Sequence, residues 1–333
     1  MIEVARLPDD QRRELFRNTA DKMGLNDAII EKDFWVCFTL DHLFHHSSWK
    51  KVLAFKGGTS LSKAFNLIQR FSEDIDLILD WRVLGFSLNE PWEKRSNTKQ
   101  DAFNKAANAR AEAFLAKEFC PSIRSGLSLV LGQEANVYID KEEGQTVIFA
   151  YPTLFSGSAA LRAIRLEIGA LAAWTPARMA EVTSFSAQQY PALFRQKSTA
   201  VLTVAPERTF WEKATILHHE AHRPLNLEMP MRHSRHYYDL FRLAETSVKE
   251  SALANLDLLQ RVVDFKTKFY PRSWANYSAA VPGTLRLLPP EFRVPTLAKD
   301  YESMKDMLFG AVPTFDTILT ALGLLERRIN QKD

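Results

Sequence analysis

The sequence predicts an α+β fold: a mixed sheet core with flanking helices, followed by a mainly helical C-terminal half. Three observations predict it. Helical spacing dominates the first 50 residues. Strand-like alternation is gathered in the middle of the chain, and the chain after Thr203 turns helical to its end. Strands collected in one stretch and helices in another build segregated layers. The expected division is a sheet core with N-terminal helices over residues 1–200, and a helical domain over 201–333 that contributes to the active site.

Each element has a local reason. Leu15, Phe16 and Ala20 share one side of a helix from Pro8 to about Met23, and Gly24 stops it. Asn26 or Asp27 caps the next helix, which runs through Ile29, Phe34, Phe38 and Phe44 to about Ser47. Val52–Phe55 is a short apolar run that reads as a buried strand. Gly57 and Gly58 end it, Thr59 or Ser60 serves as N-cap, and a helix runs from Leu61 to Gln69. Ile75 to Leu79 reads as a second strand. Pro91 to Phe119 is polar and mostly helical, a solvated face despite its lysines and arginines. The signal changes to strands from Ser128 to Leu171. Asn136–Ile139 and Thr146–Tyr151 flank a Lys141-Glu142-Glu143-Gly144 turn as a hairpin, and Leu161–Gly169 is a further strand. Helices are expected over Phe210–His222, His236–Thr246, Val248–Lys268 and Phe315–Ile329, with prolines marking the loops between.

Composition bounds the classes. At 333 residues, 46% hydrophobic and 25% charged, the chain has ample core for a soluble globular protein. A net charge of +3 permits a nucleic-acid partner without demanding one. Two cysteines, Cys37 and Cys120, make no disulfide framework and suit a reducing compartment. The N-terminus shows no secretion signal, and no apolar run approaches the ~18 residues that span a bilayer. A cytoplasmic protein with no membrane partner is expected.

The chemistry concentrates in Lys56-Gly57-Gly58-Thr59-Ser60-Leu61-Ser62-Lys63 and Arg70-Phe71-Ser72-Glu73-Asp74-Ile75-Asp76-Leu77. Glycine permits the tight turn and close backbone approach that a phosphate needs, and a helix start adds free N–H groups and a positive dipole end. Gly57, Gly58, Thr59, Ser60 and Lys63 are therefore the candidate nucleotide-binding residues. Asp74 and Asp76 are two apart on a strand and share one face. Side-by-side carboxylates stay ionised at low cost only with a cation between them, and magnesium, or manganese, takes oxygen ligands shared with substrate phosphates. Triphosphate turn and metal pair together imply nucleotidyl transfer. Glu167, alternating with apolar residues on a strand, is the candidate third metal ligand; the alternative is a surface glutamate paired with Arg165. Lys213 can neutralise phosphate as a point charge, and Asp239 can orient Lys213 or act on the attacking hydroxyl.

These blocks, with Glu31-Lys32-Asp33-Phe34-Trp35-Val36, Glu207-Arg208-Thr209-Phe210-Trp211-Glu212-Lys213 and His236-Tyr237-Tyr238-Asp239-Leu240, resemble in order the motifs of the AbiEii/AbiGii toxin family of nucleotidyltransferases. The resemblance runs from Glu31 to about Leu243; the chain beyond carries no matching motif. It implies a DNA polymerase β-like nucleotidyltransferase core and a toxin of a toxin–antitoxin or phage-defence module. Gly58 and Ser60 correspond to the nucleotide turn, Asp74 and Asp76 to the metal pair, and Lys213 and Asp239 to later residues needed for activity. The related MenT toxins add nucleotides to the 3′ end of tRNA. The implied partners are an NTP, an RNA acceptor such as tRNA, and a cognate antitoxin.

Other readings compete. His218, His219 and His222, with His233 and His236, gather five of the eight histidines, and His218 and His222 share a helix face as zinc ligands do. Glu220 sits one place too late for His-Glu-x-x-His, and no downstream carboxylate ligand is evident. The same transferase chemistry could modify a protein or small-molecule hydroxyl. A non-enzymatic nucleotide-binding module would have little need of the carboxylate pair.

Overall fold

A computed structural model describes residues 1–72, 74–156, 162–172 and 175–331. The chain forms two compact units, Met1–Phe65 with Ser72–Val204, and Asn66–Phe71 with Ala205–Asp333. The expected boundary at 200/201 therefore falls inside a strand, and six residues from the first half of the sequence belong to the second unit.

The first unit contains helices α1 (Ile2–Ala5), α2 (Asp9–Met23), α3 (Asp27–Asp41), α4 (Gly57–Lys63), α5 (Asn97–Phe114), α6 (Cys120–Leu131) and α7 (Phe185–Gln189). Its strands are β1 (Leu53–Lys56), β2 (Asp74–Leu79), β3 (Asn136–Ile139), β4 (Thr146–Ala150), β5 (Ile164–Gly169), β6 (Ala177–Val182) and β7 (Thr199–Val204). They form one sheet in the order β3-β4-β5-β2-β1-β7-β6. The β1–β7 and β2–β5 pairs are parallel and the others antiparallel, so the sheet is mixed as the sequence predicts.

Gly24, at φ 64°, ends α2 in the left-handed conformation, and the Asn26 side chain accepts the Ala28 N–H at 2.9 Å to start α3. The sheet's period of two divides its labour. Leu53, Phe55, Ile75, Leu77, Leu166 and Ile168 bury one face in a core shared with Phe34, Trp35 and Phe38 of α3. Each such side chain contributes roughly 1.5–3 kcal/mol on burial. The charged residues of β2 and β5 must then face the other way.

Several boundaries differ from expectation. Residues Ser128–Leu131 remain helical in α6, and the described part of the strand expected from Leu161 begins at Ile164; Leu161 itself lies outside the described residues. Strands β6 and β7 lie in a stretch to which the sequence reading assigns no element. β7 lies between β1 and β6; its burial alternates at first, but Thr199 and Thr203 take buried positions and Leu202 a half-covered one, so the residue types hide the pattern.

The second unit is helical: α8 (Pro206–Ala221), α9 (Ser234–Ala244), α10 (Ser247–Leu253), α11 (Leu256–Phe269), α12 (Val294–Glu302) and α13 (Phe315–Asn330). The helix expected over Val248–Lys268 is two helices, interrupted at Ala254–Asn255. Segment Asn66–Phe71 is held within this unit by backbone bonds from Phe71 N to Met307 O (2.7 Å) and Phe309 N to Gln69 O (3.0 Å). Among the described residues, no helix is long and apolar enough to cross a membrane.

Candidate active site

Strand β1 runs directly into α4. Gly57 has φ 78°, and a Cβ there would collide with the Asp76 carboxylate. Glycine is required twice, for the left-handed backbone and for the close approach. The glycine turn and one member of the acidic pair therefore touch. The helix starts at Gly57, not at Leu61, and ends at Lys63, not at Gln69. Lys56 is its N-cap and gives no side-chain cap. The hydroxyls expected to cap it do other work: Thr59 donates to the Asp74 carbonyl, and Ser60 donates to the Gly57 carbonyl at 2.8 Å. Both hydroxyls brace the turn, one of them against the acidic strand. Gly58, Thr59 and Ser60 are all buried.

The register sets the acidic face. In the β1–β2 and β2–β5 ladders, Asp76 stands opposite Lys56 on one side and Glu167 on the other, while Asp74 stands opposite Arg165. Residues opposite one another share a face, so Lys56, Asp74, Asp76, Arg165 and Glu167 line the face away from the α3 core. Burial raises the Glu167 carboxyl to about 7, helped by the charges of Asp76, Asp74 and Glu143 and opposed by Arg165. The Arg165 guanidinium does not form the pair with Glu167 that the alternative reading offered. It reaches Asp140 at 3.0 Å, Glu143 at 2.8 Å and Asp74 at 3.7 Å.

Among the described residues, no three or more His, Cys, Asp and Glu side chains close into a ready-made metal cage. The carboxylates form a shared face. In donor type and in mutual repulsion Asp74, Asp76 and Glu167 fit a hard divalent cation. Lys56 was not singled out in the sequence, and Arg165 was named only as an alternative partner for Glu167. Lys56 is the residue before the first glycine, and pairing β1 with β2 would have placed it there.

Lys63 has a different setting from the phosphate ligand expected. Its Nζ lies 2.6 Å from Asp33 of α3, both side chains are buried, and the ammonium sits 4.0 Å from the Phe185 ring. Burial is the largest single influence and works against its charge, but Asp33 together with Cys37 carries the Lys63 pKa upward. The Glu31–Val36 block and the glycine-turn block thus meet in one ion pair. Glu31, also buried, accepts the Leu154 N–H at 2.8 Å and the Phe155 N–H at 3.3 Å.

Lys213 and Asp239 come together in the second unit. Asp239 is fully buried and accepts both arms of the Arg70 guanidinium, from Nε at 2.6 Å and the second nitrogen at 2.9 Å, while Lys213 Nζ lies 2.8 Å away. Lys213 also lies 3.0 Å from His236 Nδ1. Burial alone would raise the Asp239 carboxyl; the two cations hold it far below the usual range. Asp239 therefore pairs with Lys213, and the arginine that opens the Arg70–Leu77 motif is the third partner.

His218 and His222, the pair that shares a helix face, are engaged in hydrogen bonds. His218 accepts the Arg286 N–H at Nδ1 (3.0 Å) and so donates from Nε2 to the Asn276 carbonyl (3.0 Å). Both nitrogens are used, and burial pulls its pKa to about 4. His222 Nδ1 bonds the His218 carbonyl at 2.8 Å. The zinc reading has no support in this geometry. Cys37 and Cys120 are buried free thiols.

A family model described as nucleotidyl transferase AbiEii toxin, type IV toxin–antitoxin system, matches residues 39–321. Among solved structures, MenT4, a nucleotidyltransferase toxin from Mycobacterium tuberculosis, superposes with a TM-score of 0.51 at 17% identity, covering 96% of this chain and 90% of that one. JHP933 from Helicobacter pylori gives 0.44 at 16% identity over 92% and 93%. No curated protein sequence matches. The first likeness shows a shared α+β nucleotidyltransferase fold, and with the family match spanning most of the sequence, this chain belongs to the AbiEii family of nucleotidyltransferase toxins.

Proposed function

We propose that this toxin transfers a nucleoside monophosphate from an NTP to the 3′ hydroxyl of an RNA, with tRNA as acceptor, in a reaction that requires magnesium or manganese. One observation carries the reading: the bare Gly57 backbone abuts the Asp76 carboxylate, on the sheet face that also carries Asp74 and Glu167. A triphosphate tail and its cation need that adjacency. The tRNA acceptor rests on the resemblance to the MenT toxins.

Asp74 and Asp76 would hold the ion, with Glu167 beside them; when bound, it screens phosphate charge and stabilises attacking and leaving oxygens. Gly57 and Gly58 carry no side chain to keep phosphate oxygens from the turn, and Thr59 and Ser60 keep that backbone fixed. Lys63 acts from behind, tying α4 to α3 through Asp33. The acceptor oxygen bonds to the α-phosphorus, the bond to the β-phosphate breaks, pyrophosphate departs with the electron pair, and the hydroxyl proton passes to solvent. The protein's contribution is positioning and electrostatics. Lys213 and Asp239 are required as the buried cluster that holds Arg70. The setting is the cytoplasm, with a cognate antitoxin and a role in phage defence.

The test is incubation with each α-labelled NTP, magnesium, bulk tRNA and cell lysate. Label that nuclease removes and protease leaves is the expected result. Label that follows protein or a small molecule overturns the RNA acceptor.

A further inference from the structure

The charge network around β5 holds one residue that neither the motifs nor the fold assigns. Arg165 is about one-third exposed; it hydrogen-bonds Asp140 and Glu143 of the β3–β4 hairpin and stands in charge contact with Asp74 of β2 at 3.7 Å. The hairpin end of this fork is rigid. Asp140 Oδ1 accepts the Glu142 and Glu143 N–H groups at 2.9 and 3.2 Å, leaving Oδ2 for the guanidinium. Glu143 is fixed by the Thr146 hydroxyl at 3.1 Å, and the Ile168 N–H donates to the Gln145 carbonyl at 3.0 Å. The turn is thus bonded to the strand that carries Arg165 and Glu167. A five-donor planar group is suited to such a three-way span, and a lysine is not.

We propose that Arg165 is a positioning residue for the reaction. Its guanidinium, clamped by the β3–β4 turn, holds the Asp74 carboxylate on the acidic face and offsets its charge in the absence of a divalent cation. This inference rests on the reading of Asp74 as a cation ligand. At 3.7 Å the guanidinium competes electrostatically with an incoming ion, weakening its binding while fixing the ligand that must meet it. Affinity for the bare ion and turnover are thereby set against each other.

The experiment measures manganese binding by the whole chain, without NTP or acceptor, alongside nucleotide incorporation with both. Arg165→Gln removes the competing charge, so manganese should bind about three- to tenfold more tightly, a range that allows for solvent screening. Turnover should fall at least about tenfold, because Asp74 is no longer held. Arg165→Lys keeps the charge and loses the fork: manganese affinity should stay near wild type while turnover remains low. A purely structural arginine would not tighten metal binding. Unchanged or weaker manganese binding in Arg165→Gln overturns the proposal, as does full turnover in Arg165→Lys. A wild-type chain that binds manganese but labels no RNA defeats the acceptor reading alone, and the binding comparison still decides the role of Arg165.

Discussion

Substituting Gly57 by alanine separates backbone cost from site geometry. At φ 78° any non-glycine residue adds about 1–2 kcal/mol. A domain stability of roughly 5–15 kcal/mol absorbs that, so the variant should fold. The new methyl also enters the space of the Asp76 carboxylate, which must rotate away. A misplacement of about 1 Å in a catalytic group costs on the order of 100-fold in rate. Gly24→Ala is the matched control: its φ of 64° carries a comparable backbone cost, yet nothing lies within 4 Å of the added carbon. Urea unfolding should show Gly24→Ala destabilised by about 1–2 kcal/mol and Gly57→Ala by more, since the Asp76 Cβ also lies 2.9 Å from the added carbon. Nucleotide incorporation should fall about 100-fold in Gly57→Ala and stay at wild type in Gly24→Ala. If Gly57→Ala keeps the activity of Gly24→Ala, the contact between turn and carboxylate has no catalytic meaning and the reasoning fails.

Three further outcomes follow from the buried charges. Lys63→Met leaves Asp33 buried without its cation and should cost about 3–5 kcal/mol in urea unfolding; lost activity at unchanged stability would instead make Lys63 a direct phosphate ligand. Asp239→Asn should destabilise by a similar ~3–5 kcal/mol, since Arg70 and Lys213 lose their shared carboxylate, and a wild-type unfolding midpoint would contradict that. Burial lowers His42, His218 and His233 from 6.5 to about 4, so the unfolded chain takes up protons that the folded chain refuses. The histidine contribution is therefore full above pH 6.5 and falls as pH drops toward 4, by at most roughly 3 kcal/mol per histidine, with Glu167, raised to about 7, opposing it as a single group; an unfolding free energy flat between pH 7 and 4.5 would refute it.

Much of the site was legible because its determinants are local. The glycine turn, the two-residue spacing of Asp74 and Asp76, and the alternation that places Glu167 on a strand are each written in a handful of neighbouring residues. What escaped is long-range. Arg70 and Asp239 are 169 residues apart, and only folding reveals that two motifs share an ion pair. Lys63 looked like a phosphate ligand because local reading has no view of Asp33 on another helix. The α4 helix was drawn too late because Thr59 and Ser60 are good caps in isolation; the strand beside them took the Thr59 hydroxyl instead. Helix 248–268 was drawn as one because the break at Ala254–Asn255 carries neither glycine nor proline. Strand β6 was missed because Ala-Arg-Met-Ala-Glu-Val carries little β propensity and gains its place from pairing with β7.

Pyrophosphate release by wild type and Asp76→Ala, each with NTP, magnesium and tRNA, tests the central claim most directly. Circular dichroism should show the same fold in both. The account predicts release matched one-to-one by incorporated nucleotide in the wild type and none above background in the variant. A correctly folded Asp76→Ala chain that still releases pyrophosphate at the wild-type rate would contradict it.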